Sequence, residues 1–177
     1  MYFYIPHISE EWQLLTGLLI MVIILFEILS IRGFNRLYPV GQICCYISVI
    51  LIYTVFSRSE RVDGSVVLEP FWSYKRLLSS GFSWMFWQIL ENILVMIPLG
   101  YLLAKVLYFS GRKAFSMVLI SGLCGMLLSI GIEVLQLVLH RGTTEFDDVF
   151  NNTFGAVIGA ALYYLWKVIC RMGNQRK

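Results

Sequence analysis

Residues 12 to 31 form an apolar run, and four more follow near 41 to 57, 84 to 108, 114 to 140 and 149 to 169. Crossing about 30 Å of hydrocarbon takes roughly 20 mainly apolar residues, and a spanning segment must satisfy its own backbone hydrogen bonds. Five such runs within 177 residues leave no material for a water-soluble core. They predict an all-α, polytopic membrane bundle of about five transmembrane helices. The apolar fraction of 58% and charged fraction of 14% agree with this, since soluble domains carry about 45–50% and about 25%.

Charge then orients the spans, because cytoplasmic flanks collect Lys and Arg. Arg32, Arg36, Lys105, Arg112, Lys113, Lys167, Arg171, Arg176 and Lys177 fall on one side, with no acid among them. The opposite side holds Glu10, Glu11, Glu60, Asp63, Glu69, Glu145, Asp147 and Asp148, with Arg58, Arg61, Lys75, Arg76 and Arg141. Five spans with the N-terminus outside and the C-terminus inside satisfy both sets. The start, MYFYIPHISEEW, carries Glu10 and Glu11 where a secretory signal carries positive charge, so the first run reads as a retained span.

The net charge of +3 is thereby explained as orientation signal and as attraction to anionic lipid, not as a nucleic-acid footprint. Cys44, Cys45 and Cys124 fall within spans and Cys170 beside the basic tail, with no metal spacing or disulfide framework. His7 and His140 do not make a zinc site. No cofactor or metal is called for, and residues 1–177 read as a single transmembrane domain.

Residues 58 to 83 form the longest non-spanning stretch. They open on a charged turn, RSERVDG, and continue through Pro70, Phe71, Trp72, Tyr74, Lys75 and Arg76, which suits a helix lying in the headgroup layer. That segment is either a ligand-facing rim of Trp72, Lys75 and Arg76 or an interfacial anchor.

The fourth run carries a polar stripe. Gly122, Gly125, Ser129, Glu133, Gln136 and His140 recur every three or four residues, which places them on one helical face. A Glu in hydrocarbon costs roughly 2.5–3.5 kcal/mol on insertion scales, so Glu133 should face protein or water. Asn92 in the third run and Asp147, Asp148, Asn151 and Asn152 at the start of the fifth are expected at a comparable depth, in the outer half of the membrane. Asn92, Glu133, Gln136, Arg141, Asp148 and Asn152 are the candidate binding pocket. Interhelical hydrogen bonding by the amides, at about 0.6 kcal/mol each, is the alternative.

Thr144 and Asp147 have capping-box spacing, so at least one of the two Asp residues is expected to cap a helix. Arg141 is placed either to pair with these acids or to bind an anionic headgroup. Gly155 and Gly159 form a GxxxG-type packing face. Pro98 with Gly100 should interrupt the third helix and open space beside Asn92.

Taken in order, Asn92, Pro98 and Gly100, Glu133 and Gln136, Arg141, Asp147 and Asp148, and Asn152, Gly155 and Gly159 make the chain resemble the VanZ-like membrane protein family. The resemblance covers roughly residues 68 to 163 and includes LEPFWSY, where Val67 stands in place of an expected Asn. It implies a cell-envelope role in the bacterial plasma membrane and an association with resistance to teicoplanin, a lipid-tailed glycopeptide. It brings neither a mechanism nor catalytic residues.

Three functions are then open. An outward-facing polar pocket could bind an amphiphile, with membrane lipids, a lipoglycopeptide or a cell-wall lipid as partners. An intramembrane enzyme on a lipid-linked substrate would use Glu133 as base, with Asp147 or Asp148 as second acid or divalent-metal ligand, although no Ser-His pair, HExxH or phosphate loop is present. A scaffold would present its GxxxG face to other envelope proteins.

Overall fold

The computed structural model describes residues 10–32, 37–58, 65–80 and 84–174. His7, Arg36, Glu60, Arg61, Asp63, Arg176 and Lys177 lie outside the described residues, as do positions 59–64 and 81–83 of the non-spanning stretch.

Six α-helices are described: α1 (Glu10–Arg32), α2 (Leu37–Leu51), α3 (Trp72–Ser80), α4 (Trp84–Phe109), α5 (Ala114–Val138) and α6 (Phe146–Asn174). A π-helical turn, Ile52–Phe56, extends α2. Five helical stretches are long and apolar enough to cross a membrane: Glu10–Leu29, Leu37–Phe56, Trp84–Phe109, Ala114–Val138 and Phe146–Gly173. The expected helical membrane architecture is present. Added to it among the described residues is a two-residue parallel pairing of β1 (Val66–Val67) with β2 (Thr144–Glu145).

Helix ends depart from the sequence-based bounds for local reasons. The fourth span stops at Val138 rather than 140 because His140 adopts a φ of 52°. This left-handed residue lets the Arg141 N–H return to the Gln136 carbonyl at 2.9 Å, closing the last turn. The fifth begins at Phe146 rather than 149 and runs to Asn174.

The chain packs as two units, Met1–Leu68 with Gly131–Glu145, and Glu69–Ile130 with Phe146–Lys177. In the first, α1 and α2 are joined where Gln42 donates from Nε2 to the Ile23 carbonyl at 3.1 Å and to Glu27 at 2.8 Å. Most large apolar side chains of α1 are exposed, as a face turned to acyl chains requires.

In the second unit, α4 and α6 meet backbone to backbone. A Cβ on Gly155 would lie 2.2 Å from the Ile93 carbonyl oxygen, one on Gly159 2.0 Å from that of Ile97, and one on Gly100 2.0 Å from that of Ala156. Only glycine permits that approach, and dispersion over the resulting seam drives helix association in lipid. The GxxxG face is therefore covered by α4, which removes the surface on which a scaffold reading depends. α5 joins the seam through Gly125, whose Cβ would lie 2.5 Å from that of Ala156.

Candidate functional site

The site builds from helix ends. The π-turn carries the Ser57 N–H to the Ile52 carbonyl and the Arg58 N–H to that of Val55. Terminal carbonyls of a helix need partners from elsewhere. Those of Thr54 and Phe56 find them on the polar stripe of α5 and just past its end: Gln136 donates from Nε2 to Thr54 at 2.8 Å, and Arg141 from Nη1 to Phe56 at 2.9 Å.

One turn before Gln136, Glu133 is 4% exposed and accepts the Glu145 N–H on Oε2 at 2.9 Å. The Glu133 backbone carbonyl accepts from the Thr144 hydroxyl at 3.2 Å. β2 is thus held on one side by α5 and on the other by β1, where the Thr144 N–H donates to Ser65 at 3.0 Å. The Glu145 side chain is itself buried, and its carboxylate and the Arg58 guanidinium both act electrostatically on Glu133. Gln136 is 2% exposed, and its Oε1 has no hydrogen-bond partner among the described residues.

Within the second unit the remaining polar residues form a different group. Asn92 donates to Asp148 at 2.6 Å, and Asn152 donates to the Ser129 hydroxyl at 2.8 Å. These bonds fasten α4 and α5 to α6, the role interhelical amides commonly take. The Asn152 Oδ1 is buried and unpartnered among the described residues.

Asp147, fully buried, takes a role that its sequence context hides. Its carboxylate accepts the Phe71 N–H at 2.6 Å, the Ser73 N–H at 2.9 Å and the Ser73 hydroxyl. It therefore caps α3 rather than its own helix. The capping box expected for Thr144 and Asp147 does not form, because Thr144 is drawn into β2 and Asp147 is one residue inside α6. Tyr74 adds a hydrogen bond to Asn151. Its phenol is raised above the usual 10.0 by burial and by the Asp147 charge.

Phe71 enters α3 with a φ of 58°, an uncommon conformation for a bulky residue. Edge-to-face contacts with Phe150 at 5.2 Å and Tyr74 at 6.0 Å hold it there. On α3, Lys75 pairs with Glu69 at 2.6 Å with both side chains more than 60% exposed, which contributes little to stability. Arg76 is exposed, and the Trp72 Nε1 is buried without a hydrogen-bond partner among the described residues.

Arg58 and Glu145 belong with Glu133 and were missed as site residues. Their signal was faint: each is a charge just outside a span. Among the described residues no group of three or more His, Cys, Asp or Glu side chains could hold a metal ion.

Fold and site together define a multi-pass helical membrane protein that keeps carboxylates and amides inside its spans. The VanZ/LLP1 family model matches residues 43–167, and the chain belongs to that family. Protein VanZ of Enterococcus faecium is 32% identical over 142 residues, covering 78% of this chain and 76% of that protein. No solved structure matches.

Proposed function

We propose that this protein sits in the bacterial plasma membrane, N-terminus outside, and lowers susceptibility to teicoplanin-type lipoglycopeptides by binding the polar head of an amphiphile near the outer surface. The observation that carries the reading is the burial of Glu133, Gln136 and Glu145, with Arg58 acting on Glu133, near the end of an apolar span. Such a group is costly in hydrocarbon, and intramembrane ionisable residues usually mark a ligand or ion path. Its position near the end of α5 that leads into Arg141, on the acid-rich flank, supports placement toward the outside.

The test is susceptibility of a host expressing Glu133→Gln or Arg141→Ala at matched membrane abundance. Protection against teicoplanin should fall several-fold more than protection against vancomycin, which lacks the acyl tail. Unchanged teicoplanin protection in both variants overturns the reading.

One feature favours a second reading, an enzyme acting on a lipid-linked substrate. Glu145 supplies a second buried carboxylate acting on Glu133, as paired acid and base groups require. Asp147 is a poor second acid, because its oxygens are occupied by α3. Lipid profiling of a deletion strain separates the readings: a lost or new head species indicates chemistry, and an unchanged profile indicates binding.

A further inference from the structure

We infer that the basic end of the second unit holds an anionic phospholipid, with its phosphate on Lys167 and Arg171 and one acyl chain in a groove between α5 and α6. This seat lies about 28 Å along α6 from Asp148, so it stands apart from the Glu133 reading.

Lys167 is half-buried, and its ammonium faces three rings. The Nζ lies 5.4 Å from the centroid of Tyr108 and 5.6 Å from those of Phe109 and Tyr163. Ring faces attract a cation and hold it in place. They leave its three N–H donors to find oxygen elsewhere. Among the described residues no oxygen accepts from this ammonium and no carboxylate pairs with it.

Arg171 is fixed beside it on the same ring. Its Nη2 donates to the Tyr108 hydroxyl at 2.7 Å, and its guanidinium carbon lies 5.6 Å from the ring centroid. The rest of the fork has no carboxylate partner among the described residues. Residues four apart share a helical face, so ammonium and guanidinium stand together on Tyr108. A phosphate suits the pair, since the planar fork matches two of its oxygens and the ammonium serves a third as a point charge.

Charge sets the sign of what binds. Lys105 lies one turn before Tyr108 on α4, and Arg112 and Lys113 join α4 to α5. The sequence has no Asp or Glu from Asn92 to Ile132, nor after Asp148. With Lys167 and Arg171, the basic end therefore carries five cations and no acid from these stretches, which favours a net anion over a zwitterion.

The groove takes the tail. Phe115, Val118, Leu119, Met126 and Val157 line an open cleft of about 250 Å³. Thr153 lines it too, but its hydroxyl donates to the Val149 carbonyl of its own helix at 2.7 Å. The lining is thus apolar, and an acyl chain is its match. From Phe115 to Met126, α5 rises about 16 Å, close to one leaflet of a hydrocarbon core about 30 Å thick. Phe115 follows Lys113 by two positions, so the cleft opens at its basic end. Val118 joins the two parts: it lines the cleft and packs on Ala104, Ala160 and Tyr163, the last of which faces Lys167.

The experiment uses the full chain, purified in detergent, with phosphatidylglycerol as probe against chain-matched phosphatidylcholine, read by native mass spectrometry. Phosphatidylglycerol should bind at least tenfold tighter. Lys167→Gln combined with Arg171→Gln should cut that preference at least fivefold while retaining the wild-type circular dichroism and elution volume. Arg32→Gln combined with Arg176→Gln removes the same charge from the basic flank and should change the preference less than twofold. Free glycerol phosphate in hundredfold excess should leave the lipid bound.

Equal binding of the two lipids overturns the proposal. An equal loss from the Arg32 and Arg176 pair also overturns it, because general attraction to anionic lipid then explains the preference. Displacement by glycerol phosphate overturns the lipid assignment in favour of a free phosphate. Should the Lys167 and Arg171 pair fail to fold, Tyr108→Phe decides: it keeps the ring and releases the guanidinium, so the preference should fall about twofold, and an unchanged preference refutes the seat.

Discussion

Asp147→Ala should release α3. The carboxylate accepts three hydrogen bonds, from the Phe71 and Ser73 N–H groups and the Ser73 hydroxyl, and it is fully buried. Orphaning one buried donor costs about 1–3 kcal/mol. Helix caps replaced by Ala cost about 0.5–2 kcal/mol, because released N–H groups recover some bonding to water. For two backbone donors and one hydroxyl, a total near 3 kcal/mol is the expectation, with α3 undocking as the limit. Since about 1.4 kcal/mol is tenfold in an equilibrium constant, amide exchange across residues 71–80 should accelerate about 100-fold. Asp147→Asn keeps one acceptor and should give roughly tenfold. Hydrogen exchange with mass spectrometry reads both, with Ser79→Ala as control because the Ser79 hydroxyl makes an exposed local bond to Arg76. Exchange within twofold of wild type in Asp147→Ala refutes the capping role.

The glycine seam gives a graded series. Gly159→Ala and Gly155→Ala put a methyl 2.0 and 2.2 Å from carbonyl oxygens, where carbon and oxygen normally meet at about 3.3 Å, so each should cost about 1–3 kcal/mol of overpacking or more. Gly122→Ala meets the movable Val157 side chain at 2.9 Å and should cost less, while Gly131→Ala meets nothing within 4 Å and should be neutral or slightly stabilising. Apparent melting by fluorescence-detected size exclusion ranks the four. Tyr74 supplies a pH prediction: its folded-state phenol titrates above the usual 10.0, so its contribution is intact below pH 10 and is lost as pH rises from there through the folded value. Wild type should lose melting temperature above pH 10 more steeply than Tyr74→Phe, and identical slopes contradict this.

Five spans were legible because a long apolar run needs no periodicity or partner to identify it. Their ends were less so, since Val138 is a terminus through the backbone of His140, a choice that hydropathy does not record. Gly155 and Gly159 announced a close contact, and the structure supplies its partners, the Ile93 and Ile97 carbonyls of α4. Asp147 was legible as a cap, but the helix it caps lies more than 70 residues earlier, and local spacing pointed to the wrong one. β1 and β2 are two residues each, too short to carry an alternating pattern. Their pairing, with the bonds from Glu133 to β2, is what places Glu145 at Glu133, so that member of the site was hidden with it.

The central claim is that the buried Glu133 and Gln136 acceptors form a place for a ligand's head. Structure determination in nanodiscs of bacterial plasma-membrane lipid tests it most directly. The account predicts density for a lipid head with a polar atom about 3 Å from the Gln136 Oε1 or a Glu133 carboxylate oxygen. A map in which a protein donor occupies the Gln136 Oε1, with the 142–145 segment closed over Glu133 and every resolved lipid outside the helices, would contradict it.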